Sequence, residues 1–481
     1  MLPTKIAVIG AGSASFGLST LAAILRNERL RGSTLALIDI HAQHLETITA
    51  LAQRMNREWE AGFRIESGTD RTAVLEGAEF VILSIEVGPR EDLWRLDWEI
   101  PLKHGLRQPY GENGGPGGFA HAARNIAAVM PILWDMEELC PDAWLINFTN
   151  PVPRICLAAT RYSTIQTVGL CHQINVAYCI AGAMLADELG LDVPPNLDSH
   201  PNPAGHSGCW SFARQAKEVL DIKAAGLNHF IWLLDVRERA TGRDLTPLFY
   251  ERLSERGLPF EPLSQAMFEA FGLCPVPGDS HLCEYLPWCH DPQAEPWKKY
   301  NLRLYNWEAA KEARRRMWQR VEAMVVGRQS IDELRHVASE GAVELIEAIA
   351  GNGNTYVPTV NLPNAGYIPN LPEGAIVEVP GLACGAGVYG LSVGPLPEPV
   401  AELCRREIAV ASLCVEAAVT GDRQVALQAL LLDPMVNDID RARRILDDYL
   451  TMHAEWLPVS YTHLRAHETR HDLVCRLLLE K

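Results

Sequence analysis

Short, mostly apolar runs alternate with longer segments of helical periodicity along the first part of the chain. The apolar runs predict strands at residues 6–9, 35–38, 80–85, 144–148 and 167–170. The segments between them predict helices, most clearly at residues 42–61 and 120–139. Strands that are apolar on both faces and alternate with helices are typical of a parallel sheet covered on each side. The pattern therefore predicts an N-terminal, Rossmann-like, doubly wound α/β domain.

The pattern changes in the second part of the chain. Proline and glycine are frequent between residues 192 and 220, which predicts a loop-rich insertion. Ordered structure is expected again at residues 221–250, with a hairpin turn at Thr241-Gly242, and helices are expected at 305–350 and 398–457. Residues 352–400 are rich in Gly, Pro and Asn and predict strands joined by long loops. Because 481 residues exceed the usual size of one core, we predict two domains, 1–195 and 196–458, the second a mixed α+β domain.

The last residues, 459–481, differ in composition from the rest of the chain. They contain more Lys and Arg than acidic residues and three histidines, whereas the whole chain is acidic. We interpret this segment as a non-native tail of the kind produced by translated vector or adaptor DNA. A native terminal helix is the alternative.

Composition limits the classes of function. The net charge of −17 argues against nucleic acid and anionic membranes as partners. No apolar run approaches the ~20 residues of a membrane span, and an apolar strand follows the first residues directly, which leaves no room for a signal peptide. The twelve cysteines include no Cys-x-x-Cys pair. Reduced thiols and a cytoplasmic location are therefore expected.

A glycine-rich turn follows the first predicted strand. Gly10 and Gly12 stand between this strand and a helix, and Asp39 ends the second strand. In dinucleotide sites such glycines form a tight turn and let a pyrophosphate approach the backbone, while the acidic residue binds the ribose hydroxyls. Ser15 replaces the third glycine of the pattern. The arrangement predicts NAD binding in preference to NADP, and the alternative is a tight βα turn with no ligand. The candidate NAD contacts are Gly10, Gly12, Ser13, Phe16, Asp39, Glu86 and Asn150.

Further polar residues follow other predicted strands, and the carboxyl ends of parallel strands meet in one crevice. A thiolate and an imidazole, Cys171 and His229, are suitable ligands for Mn²⁺, Zn²⁺ or Fe²⁺. The segment Asp279–Tyr285 is dense in titratable groups and suits acid–base chemistry. A zinc site in the insertion, at His200, His206 and Cys209, is a further alternative. The candidate substrate contacts are Glu112, Asn147, Asn150 and His281.

Together these segments resemble glycoside hydrolase family 4, the NAD- and metal-dependent glycosidases. The similar segments occur in the family's order and are Gly10–Ser13, Ile100–Gly105, Gly115–Gly118, Asn147–Pro151, Gly169–His172, Gly226–His229, Asp279–Tyr285, Asn370–Pro372, Val377–Val379 and Trp456–Pro458. The resemblance implies hydrolysis without the usual pair of carboxylates. It implies oxidation of the sugar at C3, proton removal at C2, elimination of the leaving group, addition of water and return of the hydride.

The resemblance also implies roles for individual residues. Cys171 and His229 match the family's metal ligands, with Mn²⁺ expected, and Asn150 matches a residue near nicotinamide and sugar. Asp279 and Tyr285 are alternative bases for C2. His172 occupies the position of the general acid of phospho-α-glucosidases, where those enzymes have Asp. The Cys-His pair implies a non-phosphorylated α-glucoside, α-galactoside or α-uronide as the substrate.

Two other functions share the N-terminal pattern. An NAD-dependent 2-hydroxy-acid dehydrogenase of the lactate/malate type has a similar overall fold but needs no metal. A non-catalytic NAD-sensing regulator needs only the segment from Gly10 to Asp39. For the glycosidase we expect a small-molecule glycoside as partner and assembly as a homodimer or homotetramer.

Overall fold

The computed structural model describes residues 1–13, 16–195, 197, 207–302, 304–337 and 341–457, and the side chains of residues 16, 17, 207 and 208 are not included. Within these residues, eleven strands form a single mixed sheet. The strands are β1 (Lys5–Ile9), β2 (Thr34–Ile38), β3 (Arg64–Gly68), β4 (Phe80–Leu83), β5 (Trp144–Asn147), β6 (Gln166–Gly169), β7 (Leu220–Leu227), β8 (Phe230–Glu238), β9 (Thr355–Pro363), β10 (Ile376–Cys384) and β11 (Gly387–Gly390).

Helices cover the sheet and link its strands. In chain order they are α1 (Phe16–Leu25), α2 (Ala42–Glu58), α3 (Thr72–Leu75), α4 (Arg90–Lys103), α5 (Gly115–Leu139), α6 (Val152–Tyr162), α7 (Ile174–Met184), α8 (Ala186–Leu189), α9 (Ser207–Val219), α10 (Thr246–Arg256), α11 (Pro262–Phe271), α12 (Asp279–Leu282), α13 (Pro296–Lys299), α14 (Trp307–Val325), α15 (Ala342–Ala350), α16 (Glu398–Thr420), α17 (Arg423–Leu432) and α18 (Ile439–Met452). None of the helices in the described part of the chain combines the length and the apolar character needed to cross a bilayer.

The N-terminal half of the sheet is parallel and doubly wound, as its apolar runs predict. Its strand order is β3-β2-β1-β4-β5-β6, and every pair in it is parallel. Alternate residues of β1 enter different cores: Ala7 and Ile9 pack with α5 and α6, whereas Ile6 and Val8 pack with α1 and α2. The five strands predicted in this region are all present. Strand β3 was not predicted, because its sequence, Arg-Ile-Glu-Ser-Gly, is half polar and lies at the sheet edge.

The sheet continues across the predicted domain boundary. Beyond β6 the order is β9-β10-β7-β8, and these strands pair in antiparallel fashion. Strand β9 joins the two halves through the pair Gly169 and Asn361. The boundary between the two predicted domains, at residues 195 and 196, stays a prediction. Strands from both sides of it form one continuous sheet.

For the region after residue 191 the structure corrects one prediction and shows one hairpin that was not predicted. Residues 207–219, expected as loop, form α9, because Cys209, Phe212, Ala213 and Ala216 recur at helical spacing and bury one face. A hairpin turn does follow β8 near Thr241, but a second hairpin, β7–β8, was not predicted. Its two-residue connection is Asn228-His229, since Leu227 pairs with Phe230.

Candidate active site

The glycine turn after β1 has the close backbone packing that a dinucleotide site requires. Gly10 has a φ of +87°, and a Cβ there would lie 2.0 Å from the carbonyl oxygen of Ser84. A Cβ at Gly12 would lie 2.7 Å from the carboxyl carbon of Asp39, whose Oδ2 accepts a hydrogen bond from the Gly12 amide at 2.8 Å. Ser13 closes the turn by donating its amide to the Gly10 carbonyl. Only glycine fits positions 10 and 12, so these residues suit a bound pyrophosphate and ribose.

Two predictions near this turn cannot be compared with side-chain positions. Helix α1 begins at Phe16, whose side chain lies outside the described atoms, and Ser15 lies outside the described residues. The proposed insertion site at His200 and His206 and the tail 459–481 also lie outside them. The remaining member of that insertion site, Cys209, is buried with its Sγ 2.8 Å from the Sγ of Cys179.

A charged network lies beyond the end of β4. Glu86 contacts His121 Nε2 at 2.8 Å and Arg90 Nε at 3.4 Å. Burial by itself would raise the pKa of Glu86, but the neighbouring His121 and Arg90 outweigh it and lower the pKa to about 2. Glu86 is therefore ionised at neutral pH, and Arg90 also approaches Glu112 at 3.5 Å.

Asn150 and Glu112 contact each other near this network. The Asn150 Nδ2 donates to Glu112 Oε1 at 3.0 Å, and the Asn150 carbonyl accepts from Asn125 Nδ2 at 2.7 Å. The Oδ1 of Asn150 is buried and has no hydrogen-bond partner among the described residues. Because a buried amide oxygen without a donor is costly, this atom is available to a ligand hydroxyl.

Asn147, predicted to contact substrate, has a different position. It is fully buried, and its Oδ1 accepts from the Thr149 amide at 3.0 Å while its Nδ2 donates to the Thr149 carbonyl at 3.1 Å. These bonds close the turn after β5, which is the usual local role of an Asn at such a position. Asn147 thus holds the turn after β5, and its contact with substrate stays a prediction.

Cys171 and His229 come together, although 58 residues separate them: Cys171 Sγ lies 3.3 Å from His229 Nε2. Cys171 follows β6, and His229 occupies the β7–β8 hairpin with a φ of +60°. A non-glycine residue in this conformation costs on the order of 1–3 kcal/mol, and such residues cluster at functional sites. Burial, followed by the nearby His281 and His172, lowers the pKa of His229 well below its usual value. A neutral imidazole beside a thiol that can ionise is a pair of donors that divalent transition metals bind.

His281 and Glu284 lie against this pair. The rings of His229 and His281 are stacked with centroids 3.9 Å apart, and His281 Nδ1 lies 2.8 Å from Glu284 Oε1. The other carboxylate oxygen of Glu284 accepts the amides of Glu112 and Asn113 at 2.6 and 2.5 Å. Among the described residues, the ligand atoms of His229, His281 and Glu284 all lie within 4.8 Å of one another. The sequence analysis placed Glu284 in the titratable segment Asp279–Tyr285 but gave it no role of its own, because that role depends on the loop at 112–114 that it binds.

Asp279 and Tyr285, the alternative bases, occupy different surroundings. Both carboxylate oxygens of Asp279 cap helix α11: Oδ2 accepts from the Leu263 amide at 2.6 Å, and Oδ1 accepts from the Ser264 amide and hydroxyl at 2.7 Å. Burial raises the pKa of Asp279 to about 6, against the opposing effect of these hydrogen bonds. Tyr285, in contrast, donates its hydroxyl to the carbonyl of Asn228, next to His229, at 3.4 Å. The phenol therefore contacts the hairpin that carries His229, whereas the carboxylate of Asp279 caps a helix.

His172 lies at the rim of the site. Its side chain is exposed, and its ring meets Trp210 of α9 edge-on with centroids 5.1 Å apart. An imidazole at the rim can exchange protons with solvent.

The fold and this set of polar strand ends define a Rossmann-type α/β protein with a candidate active site. The model of the family 4 glycosyl hydrolases matches residues 5–185, and the model of the family 4 glycosyl hydrolase C-terminal domain matches residues 224–436. The chain belongs to glycosyl hydrolase family 4 and is a glycoside hydrolase. The alternative of a 2-hydroxy-acid dehydrogenase is not favoured, because both halves of the chain match glycosidase models.

Named relatives extend over nearly the whole chain. An alpha-glucosidase of Erwinia rhapontici is 31% identical and aligns over 95% of this chain and 99% of the relative. An alpha-galactosidase of Bacillus subtilis (strain 168) is 30% identical over 94% and 99%. Among solved structures, a 6-phospho-alpha-glucosidase from gut microorganisms, in complex with NAD and Mn²⁺, superposes with a TM-score of 0.77. It is 22% identical and covers 95% of this chain and 99% of its own, and it shows the fold.

Proposed function

We propose that this protein hydrolyses α-glycosides with the help of NAD⁺ and a divalent metal, preferably Mn²⁺. The observation that carries the proposal is the pair Cys171 and His229, whose Sγ and Nε2 atoms lie 3.3 Å apart. The same chain forms the glycine turn at Gly10 and Gly12, with the Asp39 carboxylate bonded to it. The structural relative that holds NAD and Mn²⁺ has the same fold. When bound, NAD⁺ would take a hydride from the sugar C3 and return it later, and the metal would polarise sugar oxygens as a Lewis acid.

The protein's own groups would hold these cofactors. Backbone amides of the turn at Gly10, Gly12 and Ser13 would face the pyrophosphate, and Asp39 would bind the ribose. Phe16, Glu86 and Asn150 complete the set of proposed NAD contacts. Cys171, as thiolate, and neutral His229 would hold the metal.

Proton transfer would fall to residues around the metal ligands. We assign Tyr285 as the base for the C2 proton, because its hydroxyl lies beside the His229 turn while both oxygens of Asp279 cap a helix. His172, at the exposed rim, would protonate the leaving-group oxygen. Glu112, Asn150 and His281 would bind sugar hydroxyls, since their polar atoms surround the same crevice.

The decisive assay is hydrolysis of p-nitrophenyl α-D-glucoside, α-D-galactoside and α-D-galacturonide with and without NAD⁺ and Mn²⁺. We expect one or more of these sugars to be hydrolysed only when both cofactors are present, without accumulation of NADH. The matched β-anomers serve as controls. Full activity after exhaustive dialysis against EDTA and removal of NAD⁺ would contradict the proposal.

Proton removal at C2 has a separate signature. Hydrolysis in D₂O should leave deuterium at C2 of the released sugar, because the abstracted proton can exchange with solvent before it is returned. NMR of the product measures this directly. A sugar without C2 deuterium would instead indicate direct displacement at C1 or a base that is shielded from solvent.

Two expectations complete the proposal. We expect the protein to be cytoplasmic and to assemble as a homodimer or homotetramer. Light scattering coupled to size-exclusion chromatography would determine the assembly.

A further inference from the structure

A fully buried carboxylate links the two loops that carry the proposed metal ligands. Glu378 lies on β10 and has no exposed surface. Its Oε2 accepts two hydrogen bonds, from Gln173 Nε2 at 2.7 Å and from Asn228 Nδ2 at 2.7 Å. Gln173 follows Cys171 by two residues, and Asn228 directly precedes His229. We propose that Glu378 is a positioning residue that sets the distance between Cys171 and His229 and thereby the affinity of the metal site.

The sheet topology places Glu378 between these loops. Gly169 pairs with Asn361, Asn361 with Glu378, and Glu378 with Gly226, so four residues from β6, β9, β10 and β7 form one row across the sheet. Asn361 strengthens the row by donating its Nδ2 to the Gly169 carbonyl at 3.3 Å. Cys171 and Asn228 follow the two ends of this row by two residues each.

The chemistry of the contact explains why a side chain with an acceptor oxygen stands there. Two amide groups approach one carboxyl oxygen from loops far apart in sequence, and this single acceptor satisfies both donors. An apolar residue of similar size would leave both amide donors buried without this acceptor. The two loops would then no longer be held together by a shared hydrogen-bond acceptor, and their conformations could change. The hairpin has most need of such a bond, because His229 adopts a left-handed conformation next to Asn228.

This inference rests on the proposed metal site. The outer partners of metal ligands orient them, and losing such a partner lowers metal affinity by roughly 10–100-fold. Glu378 does not bond to Cys171 or His229 themselves but to Gln173 and Asn228 in the loops that carry them. We therefore expect its substitution to change the affinity for metal and to leave the substrate contacts in place.

The test compares Glu378→Met with Glu378→Gln in the full-length protein, stripped of metal and titrated with Mn²⁺ by EPR. We expect Glu378→Met to weaken Mn²⁺ binding by about 10–100-fold and Glu378→Gln, which keeps an acceptor oxygen, to remain close to the wild type. Co²⁺ substitution adds a spectroscopic readout, since the thiolate-to-cobalt band of Cys171 should shift only in the Met variant. NAD⁺ affinity should be equal in all of them.

A matched control is Glu407→Met, which removes another buried carboxyl, on α16. Unchanged Mn²⁺ affinity in Glu378→Met, or equal weakening in Glu378→Met and Glu407→Met, would overturn the proposal. If Glu378→Met does not fold, Gln173→Met and Asn228→Leu replace it. We expect each of these variants to bind Mn²⁺ more weakly than the wild type. Wild-type Mn²⁺ binding in both would overturn the proposal. Wild-type Mn²⁺ binding in Cys171→Ser would instead overturn the metal site itself, and the Glu378 inference with it.

Discussion

Cys171→Ser should fold like the wild type, lose its Mn²⁺ and lose at least about 10³-fold in kcat, because metal Lewis acidity contributes several kcal/mol to such transition states. The hydroxyl of serine does not ionise at neutral pH, so the site would lose one of its two proposed protein ligands. Metal content by mass spectrometry, Mn²⁺ titration and kcat with the best glycoside measure the effect. The wild type should also lose activity on air oxidation and regain it with dithiothreitol and Mn²⁺, since only the thiolate binds metal.

Cys384→Ser is the matched control for this variant. Cys384 is, like Cys171, a partly exposed cysteine, and it lies at the end of β10. We expect its substitution to leave metal content and kcat unchanged. Normal metal content and turnover in Cys171→Ser would remove Cys171 from the metal site and, with it, the central observation of the proposed function.

The parallel half of the fold could be predicted from the sequence because its signals are local. Fully apolar runs such as those of β1 and β4 specify strands buried on both faces, and the glycines of the first turn fix the strand–helix connection. The antiparallel half depends on pairings between distant segments, for example Gly169 with Asn361. Hydrophobic periodicity carries no information about such pairings, and therefore the continuity of the sheet across the predicted boundary was not foreseen.

The candidate site divides in the same way. Cys171 and His229 could be selected from residue type and motif, and the structure brings their side chains together. Asn147 and Asp279 stand in equally suggestive motifs, but their hydrogen bonds close a turn and cap a helix. Residue type cannot distinguish a polar side chain that faces a crevice from one that satisfies nearby backbone amides. Such a distinction requires the coordinates of the backbone groups around it.

Glu284 and Glu378 are residues whose partners could not be predicted from the sequence. Each is a fully buried carboxylate whose partners lie far away in sequence, at the loop of Glu112 and Asn113 for one and at Gln173 and Asn228 for the other. A lone Glu in an apolar strand gives only one sequence-level signal, namely that its burial must be compensated by hydrogen bonds. That signal marks Glu378 as unusual without identifying what it joins.

Tyr285→Phe should lower kcat by roughly 10²–10⁴-fold, the usual contribution of a positioned base, and should slow the exchange of the C2 proton with D₂O by a similar factor. The substitution removes only the hydroxyl, whose bond to the Asn228 carbonyl is long at 3.4 Å, so the fold and Mn²⁺ affinity should be retained.

Asp279→Asn provides the comparison. Its carboxylate caps α11, and an Asn keeps one acceptor, so we expect a loss of stability of about 0.5–2 kcal/mol and little change in C2 exchange. Thermal unfolding, kcat and NMR of product formed in D₂O separate the two effects. Loss of C2 exchange in Asp279→Asn with exchange retained in Tyr285→Phe would transfer the role of base to Asp279, and would require its side chain to leave the helix end when substrate binds.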